Sequence, residues 1–469
     1  MGNTGHAQLI DEVRARFGPR AALTDQADIA PWLSDWRGRV HGASAAILAP
    51  ASTEEAAAIV AGAAAHGVAL VPQGGNTSMV AGATPPADGS ALILSLRRMN
   101  RLRAIDPAAN LAVAEAGMIL ADLHDHAAAA GRRFPLTLGA RGSCTVGGLI
   151  ATNAGGTQVL RFGTMRALVA GVEAVLPDGS VHNGLAALKK DNRGYSLDQL
   201  LIGSEGTLGL ITAAALRLVP AAAARSVAWA GLADPHRALD LLRFLDTRTD
   251  AVEGFELIPG DTLDLALKHI PATRSPLAGR HAWHVLIEMT GSDPAAELEQ
   301  LLGQALDAGL VEDAALAASE AQAEAFWRIR DSLSEAERAE GPSTAHDISV
   351  PVADLPRFLL AAAAEVERAF PGTAASAFGH LGDGNLHFHV RAGARAVPGW
   401  HDGEGAAITR LVDDLVTAAG GSISAEHGIG QSKLAEFERL APPGRLAALK
   451  AIKQALDPQG LMNPGKLIR

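Results

Sequence analysis

Val68-Ala69-Leu70-Val71-Pro72-Gln73-Gly74-Gly75-Asn76-Thr77-Ser78 decides how the first half of the chain is read. Its apolar start predicts a short strand, Val68 to Pro72, and its second half predicts a glycine turn. Just upstream, Ser52-Thr53-Glu54-Glu55 is a helix start signal, so Ala56 to His66 reads as a helix leading into that strand. A loop so placed can aim consecutive backbone N–H groups at a diphosphate, with glycine allowing positive φ and close approach to a ligand. Two further stretches have the same character. One is Gly139-Ala140-Arg141-Gly142-Ser143-Cys144-Thr145-Val146-Gly147-Gly148 with Asn153-Ala154-Gly155-Gly156; the other is Gly203-Ser204-Glu205-Gly206-Thr207-Leu208-Gly209. A single loop of this kind is weak evidence. Three together exceed what tight turns need, and the phosphates and polar rings of a dinucleotide account for them. None keeps the G-x-G-x-x-G spacing, which disfavours NAD on a Rossmann turn. Gly460 to Lys466 imitates a P-loop, but Leu467 stands where a magnesium-binding hydroxyl belongs and Pro464 interrupts the loop.

Outward from these loops, strand-like runs recur at Ala91–Leu96, Leu111–Ala116, Leu168–Leu176 and Ser180–Asn183. Beyond about Ala221 the texture changes to long helices between single strands, among them Ser319–Glu340 and Ala353–Phe370. In the latter Leu355, Phe358, Leu359, Ala362, Val366 and Phe370 share one helical face. Strands at His281–Met289 and Asp347–Pro351 complete an α+β pattern with helices expected on one side of a sheet. The join is expected at Leu218-Val219-Pro220-Ala221. Composition agrees with a large folded chain: 469 residues, 48% hydrophobic and 19% charged. A formal charge of −11 argues against a nucleic-acid groove or an anionic membrane surface. The single cysteine, Cys144, and an N-terminus without a signal-peptide core imply a cytoplasmic protein.

The second half carries its own chemistry. Gly379-His380-Leu381-Gly382-Asp383-Gly384-Asn385-Leu386-His387-Phe388-His389 places three histidines within ten residues, and Glu426-His427 adds an acid and a fourth imidazole. A lone strand histidine usually serves a backbone carbonyl. Clustering with a second acid–histidine pair favours an open divalent-cation site instead. Residues 387 and 389 share a strand face, so spacing alone leaves His389 open as a ligand.

The three glycine stretches and the two histidine motifs together resemble the FAD-linked D-2-hydroxyacid dehydrogenases of the vanillyl-alcohol-oxidase type. That group takes in D-2-hydroxyglutarate dehydrogenase, D-lactate dehydrogenase and the glycolate oxidase catalytic subunit, and the likeness covers nearly the whole chain. It implies an α+β protein: a two-lobed FAD-binding domain over 1–218, an α+β substrate and metal cap domain over 219–425, and a segment over 426–469 returning to the FAD domain. Gln73, Gly74, Gly75, Asn76, Thr77 and Ser78 would hold the pyrophosphate, with Pro72 also among the FAD-binding residues. Gly139, Ser143, Thr145, Gly148 and Asn153 would enclose ribityl chain and flavin, while Glu205, Gly206 and Ile211 would lie near the adenosine, and Asn463 belongs to the return. Asn76 and Thr77 stand where covalent relatives carry histidine, so the FAD is expected to dissociate. The resemblance further makes His380, His387 and Glu426 ligands to a divalent metal, most simply zinc. It makes His427 the general base, Asn385 a substrate contact and Arg330 the partner of the substrate carboxylate.

The implied reaction is oxidation of a D-2-hydroxyacid to its 2-oxoacid, with hydride transfer to flavin N5. Electron-transfer flavoprotein, a cytochrome or a quinone would take the electrons onward, and a homodimer is the base-rate assembly. Ala345 departs from the pattern, since relatives acting on 2-hydroxyglutarate carry lysine there. This leaves D-2-hydroxyglutarate and a shorter acid such as D-lactate both open, with His346 a partial replacement for the missing cation. A different class, a metal-dependent hydrolase built on the same His/His/Glu set, would leave the glycine loops without a task.

Overall fold

The structure, a computed structural model, describes residues 2–393 and 398–469. It divides into two compact units: Met1–Gly156 with Phe162–Ala221 and Glu426–Arg469, and Thr157–Arg161 with Ala222–Ala425.

The first unit holds two sheets. In the smaller, Ile47–Leu48, Ala91–Ser95 and Ala69–Gln73 are parallel neighbours, with Ala22–Leu23 antiparallel at the edge. The helix Thr53–His66 supplies the crossover that parallel pairing needs. Its start follows from sequence: the Ser52 hydroxyl accepts from Glu55 N–H at 3.2 Å, and Glu55 reaches back to Ala51 N–H at 2.8 Å. The larger sheet is antiparallel, in the order Leu102–Asp106, Leu111–Glu115, Leu210–Arg217, Val169–Val175, Val181–Asn183. Thr53 and Glu173 join helix to sheet, hydroxyl to carboxylate at 2.5 Å, and Arg103 and Thr212 complete the carboxylate's partners. A buried carboxylate is tolerable because it is fully paired.

The second unit is built on a seven-stranded antiparallel sheet. Its order is Asp313–Leu316, Ala224–Leu232, Trp283–Gly291, Val252–Pro259, Ala374–His380, Asn385–Arg391, Ser343–Ser349. Helices cover both faces rather than the single one expected from sequence. Pro235–Asp246, Pro294–Asp307, Leu355–Ala369 and Glu404–Ala418 pack on one face; Gly260–His269, Glu320–Asp331 and Leu333–Glu340 pack on the other. The cause is legible in the strands: Val252–Pro259 is buried along its whole length and Trp283–Gly291 along all but its ends, so each needs cover on both sides. The stretch expected as one helix, 319–340, is two, because the Ser332 N–H turns to Ile329 O as well as Arg328 O and the next helix starts anew. No helix among the described residues is long and apolar enough to cross a membrane.

Candidate functional site

In the first unit the glycine stretches and the returning C-terminal segment converge on the end of the strand Ala69–Gln73. The glycines serve a different purpose from the one the sequence suggests. Gly74 and Gly75 do not adopt positive φ; Asn76 does, at 55°. A Cβ on Gly74 would lie 2.2 Å from Thr145 Oγ1 and one on Gly75 1.9 Å from Ser143 O, so these glycines let the first loop press against the second. Gly206, at φ 72°, packs on Pro72, whose Cγ would lie 3.0 Å from a Cβ there, which brings the third loop in. Asn463 closes the group: its Nδ2 donates to Gly82 O at 3.0 Å and to Glu205 O at 2.6 Å.

The resulting cradle suits a phosphate-bearing ligand. Among the described residues the N–H groups of Gly74, Gly75, Asn76 and Thr77 have no protein acceptor. Thr145 Oγ1, Gln73 Oε1 and Asn463 Oδ1 are buried without a partner. Buried polar atoms left unmet cost free energy unless a ligand or water meets them. Other expected residues have structural tasks. Asn153 Oδ1 takes Thr164 Oγ1 and Arg166 N–H, each at 2.9 Å. Glu205 accepts Ile429 and Gly430 N–H, both at 2.7 Å; burial still drives its pKa upward, against those two bonds. Ser78 Oγ receives Gly82 N–H, Ile211 is a core residue of its strand, and Gly139 and Gly148 line the second loop.

In the second unit strand alternation separates core from chemistry. Leu386, Phe388 and Val390 face the apolar core together with Ile348 and Ala377. The other face carries Asn385, His387 and His389, opposite Ser349, Asp347 and Ala345 on one neighbour, and His387 and His389 opposite Phe378 and Ser376 on the other. The turn that returns the chain from His380 to Asn385 depends on Gly384, at φ 84°, where a Cβ would meet Val350 O at 2.3 Å. Leu381, fully buried, anchors it.

His380 and His387 meet edge to face with ring centroids 5.6 Å apart, and each offers a ring nitrogen within 4.8 Å of one on the other. His380 Nδ1 donates to Glu256 Oε1 at 2.5 Å, and Arg330 faces its Nε2 at 3.1 Å. Arg330 Nε also donates to Glu256 Oε2 at 2.8 Å. Burial alone would raise the Glu256 pKa, but the Arg330 and His380 charges outweigh it and hold it at about 2. Sequence reasoning missed Glu256. The signal was present, since an acid inside the apolar run Phe255–Pro259 must have a buried partner. An imidazole fixed through Nδ1 by a carboxylate is the usual bracing of a metal ligand, so this pair fits a divalent cation once the Arg330 guanidinium yields Nε2.

The remaining expected residues divide clearly. Asn385 Nδ2 donates to Asp347 Oδ1 and Ile348 O, both at 3.0 Å, while its buried Oδ1 has no partner among the described residues. His389 lies tilted against Phe378, ring centroids 5.2 Å apart, and no candidate cation group among the described residues includes it. His346 cannot replace the missing lysine: its ring nitrogens are taken by Phe388 O at 2.9 Å and Thr409 Oγ1 at 3.1 Å. Glu426 and His427 are the first residues after the chain leaves the second unit at Ala425. Four residues before Glu426, Ser422 bridges to Ser349 in the histidine-bearing sheet.

Comparison with known proteins gives this arrangement a context. Residues 44–184 match the FAD binding domain family, and residues 221–467 match the family described as FAD linked oxidases, C-terminal domain. The mitochondrial D-2-hydroxyglutarate dehydrogenase of Bos taurus is 37% identical over 97% of this chain and 82% of its own. The D-2-hydroxyglutarate dehydrogenase of Xanthomonas citri pv. viticola is 35% identical over 95% of this chain and 93% of its own. Among solved structures, p-cresol methylhydroxylase with substrate bound aligns at TM-score 0.75 and 15% identity, covering 99% of this chain and 97% of that one. That likeness shows the vanillyl-alcohol-oxidase-type fold expected from sequence.

Proposed function

The chain belongs to the FAD-linked oxidases, in the group of the D-2-hydroxyglutarate dehydrogenases, and on that premise we propose that it oxidises a D-2-hydroxyacid to the 2-oxoacid with the help of a divalent cation. FAD-linked oxidation of a hydroxyacid is the activity of the group; the metal and the proton acceptor are our reading. The observation that carries it is the imidazole pair His380 and His387, with His380 braced by the Glu256 carboxylate, on one face of the second unit's sheet.

In this reading His380, His387 and Glu426 hold the cation, zinc being the simplest choice for two imidazoles and a carboxylate. A cation so held lowers the pKa of a hydroxyl that binds it. Arg330, its guanidinium kept in place by Glu256, attracts the substrate carboxylate. The Asn385 carbonyl oxygen supplies an acceptor to orient the substrate hydroxyl. His427 removes the hydroxyl proton, a task suited to a side chain that titrates near neutrality. Bound FAD supplies the two-electron acceptor for the Cα hydrogen. The first-loop N–H groups and the buried oxygens of Thr145 and Asn463 are the contacts we assign to non-covalent FAD.

The test is anaerobic addition of D- and L-2-hydroxyacids to the yellow holoenzyme. The reading expects D-acids alone to bleach the flavin, and His427→Ala to slow bleaching by roughly 10²–10⁴-fold with flavin retained. Bleaching at the wild-type rate in that variant excludes His427 as the base.

A further inference from the structure

Lys466 has 1% exposure, within the segment that closes the first unit. Its surroundings are fixed by backbone on both sides. Met462 pairs with Leu70, in the strand that delivers the first glycine loop, and Leu467 N–H is taken by Gly430 O at 3.1 Å. Asn463, Gly465 and Leu467 take φ of 45°, 73° and 60°, so three of five consecutive residues are left-handed. A leucine holds that conformation only where the surroundings impose it.

The turn buries an amine without giving it an anion. Among the described residues Lys466 Nζ has one acceptor, Pro464 O, at 3.3 Å. Lys453, in the same segment, shows what a structural lysine looks like here: it reaches Thr207 O, Asp457 Oδ2 and Met462 O at 2.7, 2.5 and 2.9 Å. The neighbouring Glu205 carboxylate is occupied by two backbone N–H groups. Burial alone lowers the Lys466 pKa, to about 8, with no acidic group acting on it. An isolated buried ammonium destabilises a fold, so its presence three residues after the cradle's Asn463 calls for a charge that arrives with the ligand.

We propose that Lys466 is the counter-cation for negative charge on bound FAD. This rests on the cradle of the first unit being the FAD site. FAD offers that charge from two sources, its pyrophosphate, anionic in every state, and its ring system once reduced.

Lys466→Met and Lys466→Arg test the assignment in the full chain. Three measurements are needed: FAD titration of flavin-free protein, the thermal midpoint of the flavin-free form, and the two-electron midpoint potential of the holoenzyme. Pairing with the pyrophosphate predicts that Lys466→Met weakens oxidised and reduced FAD alike by at least tenfold and leaves the potential in place. Pairing with the reduced ring predicts unchanged binding of oxidised FAD and a potential lower by roughly 30 mV for each tenfold loss in the reduced state. In either case the flavin-free Lys466→Met protein is at least as stable as wild type, and Lys466→Arg recovers part of the loss. The proposal is overturned if affinity and potential both keep their wild-type values, or if flavin-free stability falls together with FAD affinity, as a structural lysine requires. A wild-type protein that binds no FAD would instead overturn the cradle assignment.

Discussion

Glu256 holds His380 through one carboxylate oxygen and Arg330 through the other, at 2.5 and 2.8 Å. One buried acid therefore fixes both the ring orientation of a proposed metal ligand and the guanidinium proposed to meet the substrate. Glu256→Gln keeps the shape but loses an acceptor and the charge. Metal affinity is expected to drop about 10–100-fold, the usual effect of removing a ligand's brace. FAD content should not change, because the cradle lies in the other unit. Chelator competition and flavin absorbance on the same sample check both halves.

His387 and His389 share a strand face, yet only His387 is placed beside His380. His387→Ala should abolish flavin bleaching by substrate while the protein stays yellow, and its bound metal should be lost. His389→Ala should keep both metal and bleaching, since His389 lies beside Phe378 and outside the candidate cation group. Equal loss of metal in the two variants would place the cation elsewhere on the face.

The architecture was legible where chemistry repeats along the chain. The capping residues Ser52 and Glu55, the glycine loops and the turn between His380 and His387 all announce themselves in consecutive residues. What sequence did not yield comes from pairings across long separations. Glu256 lies 124 residues before His380, and its role appears only when the two strands pair. The reason for Gly74 and Gly75 was misjudged for the same cause: the atoms that exclude a Cβ belong to Ser143 and Thr145. Helix cover on both sheet faces was likewise hidden, because an apolar run does not say what buries it.

Gly384→Ala should lower stability by about 1–3 kcal/mol, from left-handed strain and the contact with Val350 O. Gly303, inside the helix Pro294–Asp307 with open space around it, is the control, and Gly303→Ala should gain roughly 0.5–1 kcal/mol. Urea unfolding with an unchanged slope measures both.

Cys144 is buried at 4% exposure, and burial raises its pKa from 9.0 to about 11. At pH 8 only on the order of one thiol in a thousand is then ionised, so alkylation of the native protein should be slow and should accelerate on unfolding. The linked stability change has a definite sign. Between about 9 and 11 the native state keeps a proton that the unfolded chain gives up, so stability falls as pH rises through that window. Cys144→Ala should flatten that part of the profile, read by thermal melts at closely spaced pH values.

Ala345 lies opposite His389 and two residues from Asp347, on the polar face that carries His387. It is exposed, so a longer side chain there meets no packing penalty from the core. His346 cannot supply the cation in its place, since both of its ring nitrogens are already bonded. Ala345→Lys should therefore raise kcat/KM for D-2-hydroxyglutarate over D-lactate by about tenfold or more, the equivalent of roughly 1.4 kcal/mol from one new ion pair to a distal carboxylate. The effect should appear in KM more than in kcat, because that carboxylate is remote from the reacting carbon. It should shrink as salt is raised, which separates a charge effect from altered packing. A ratio that stays at the wild-type value would mean that a second carboxylate, if the substrate has one, is bound away from this part of the sheet.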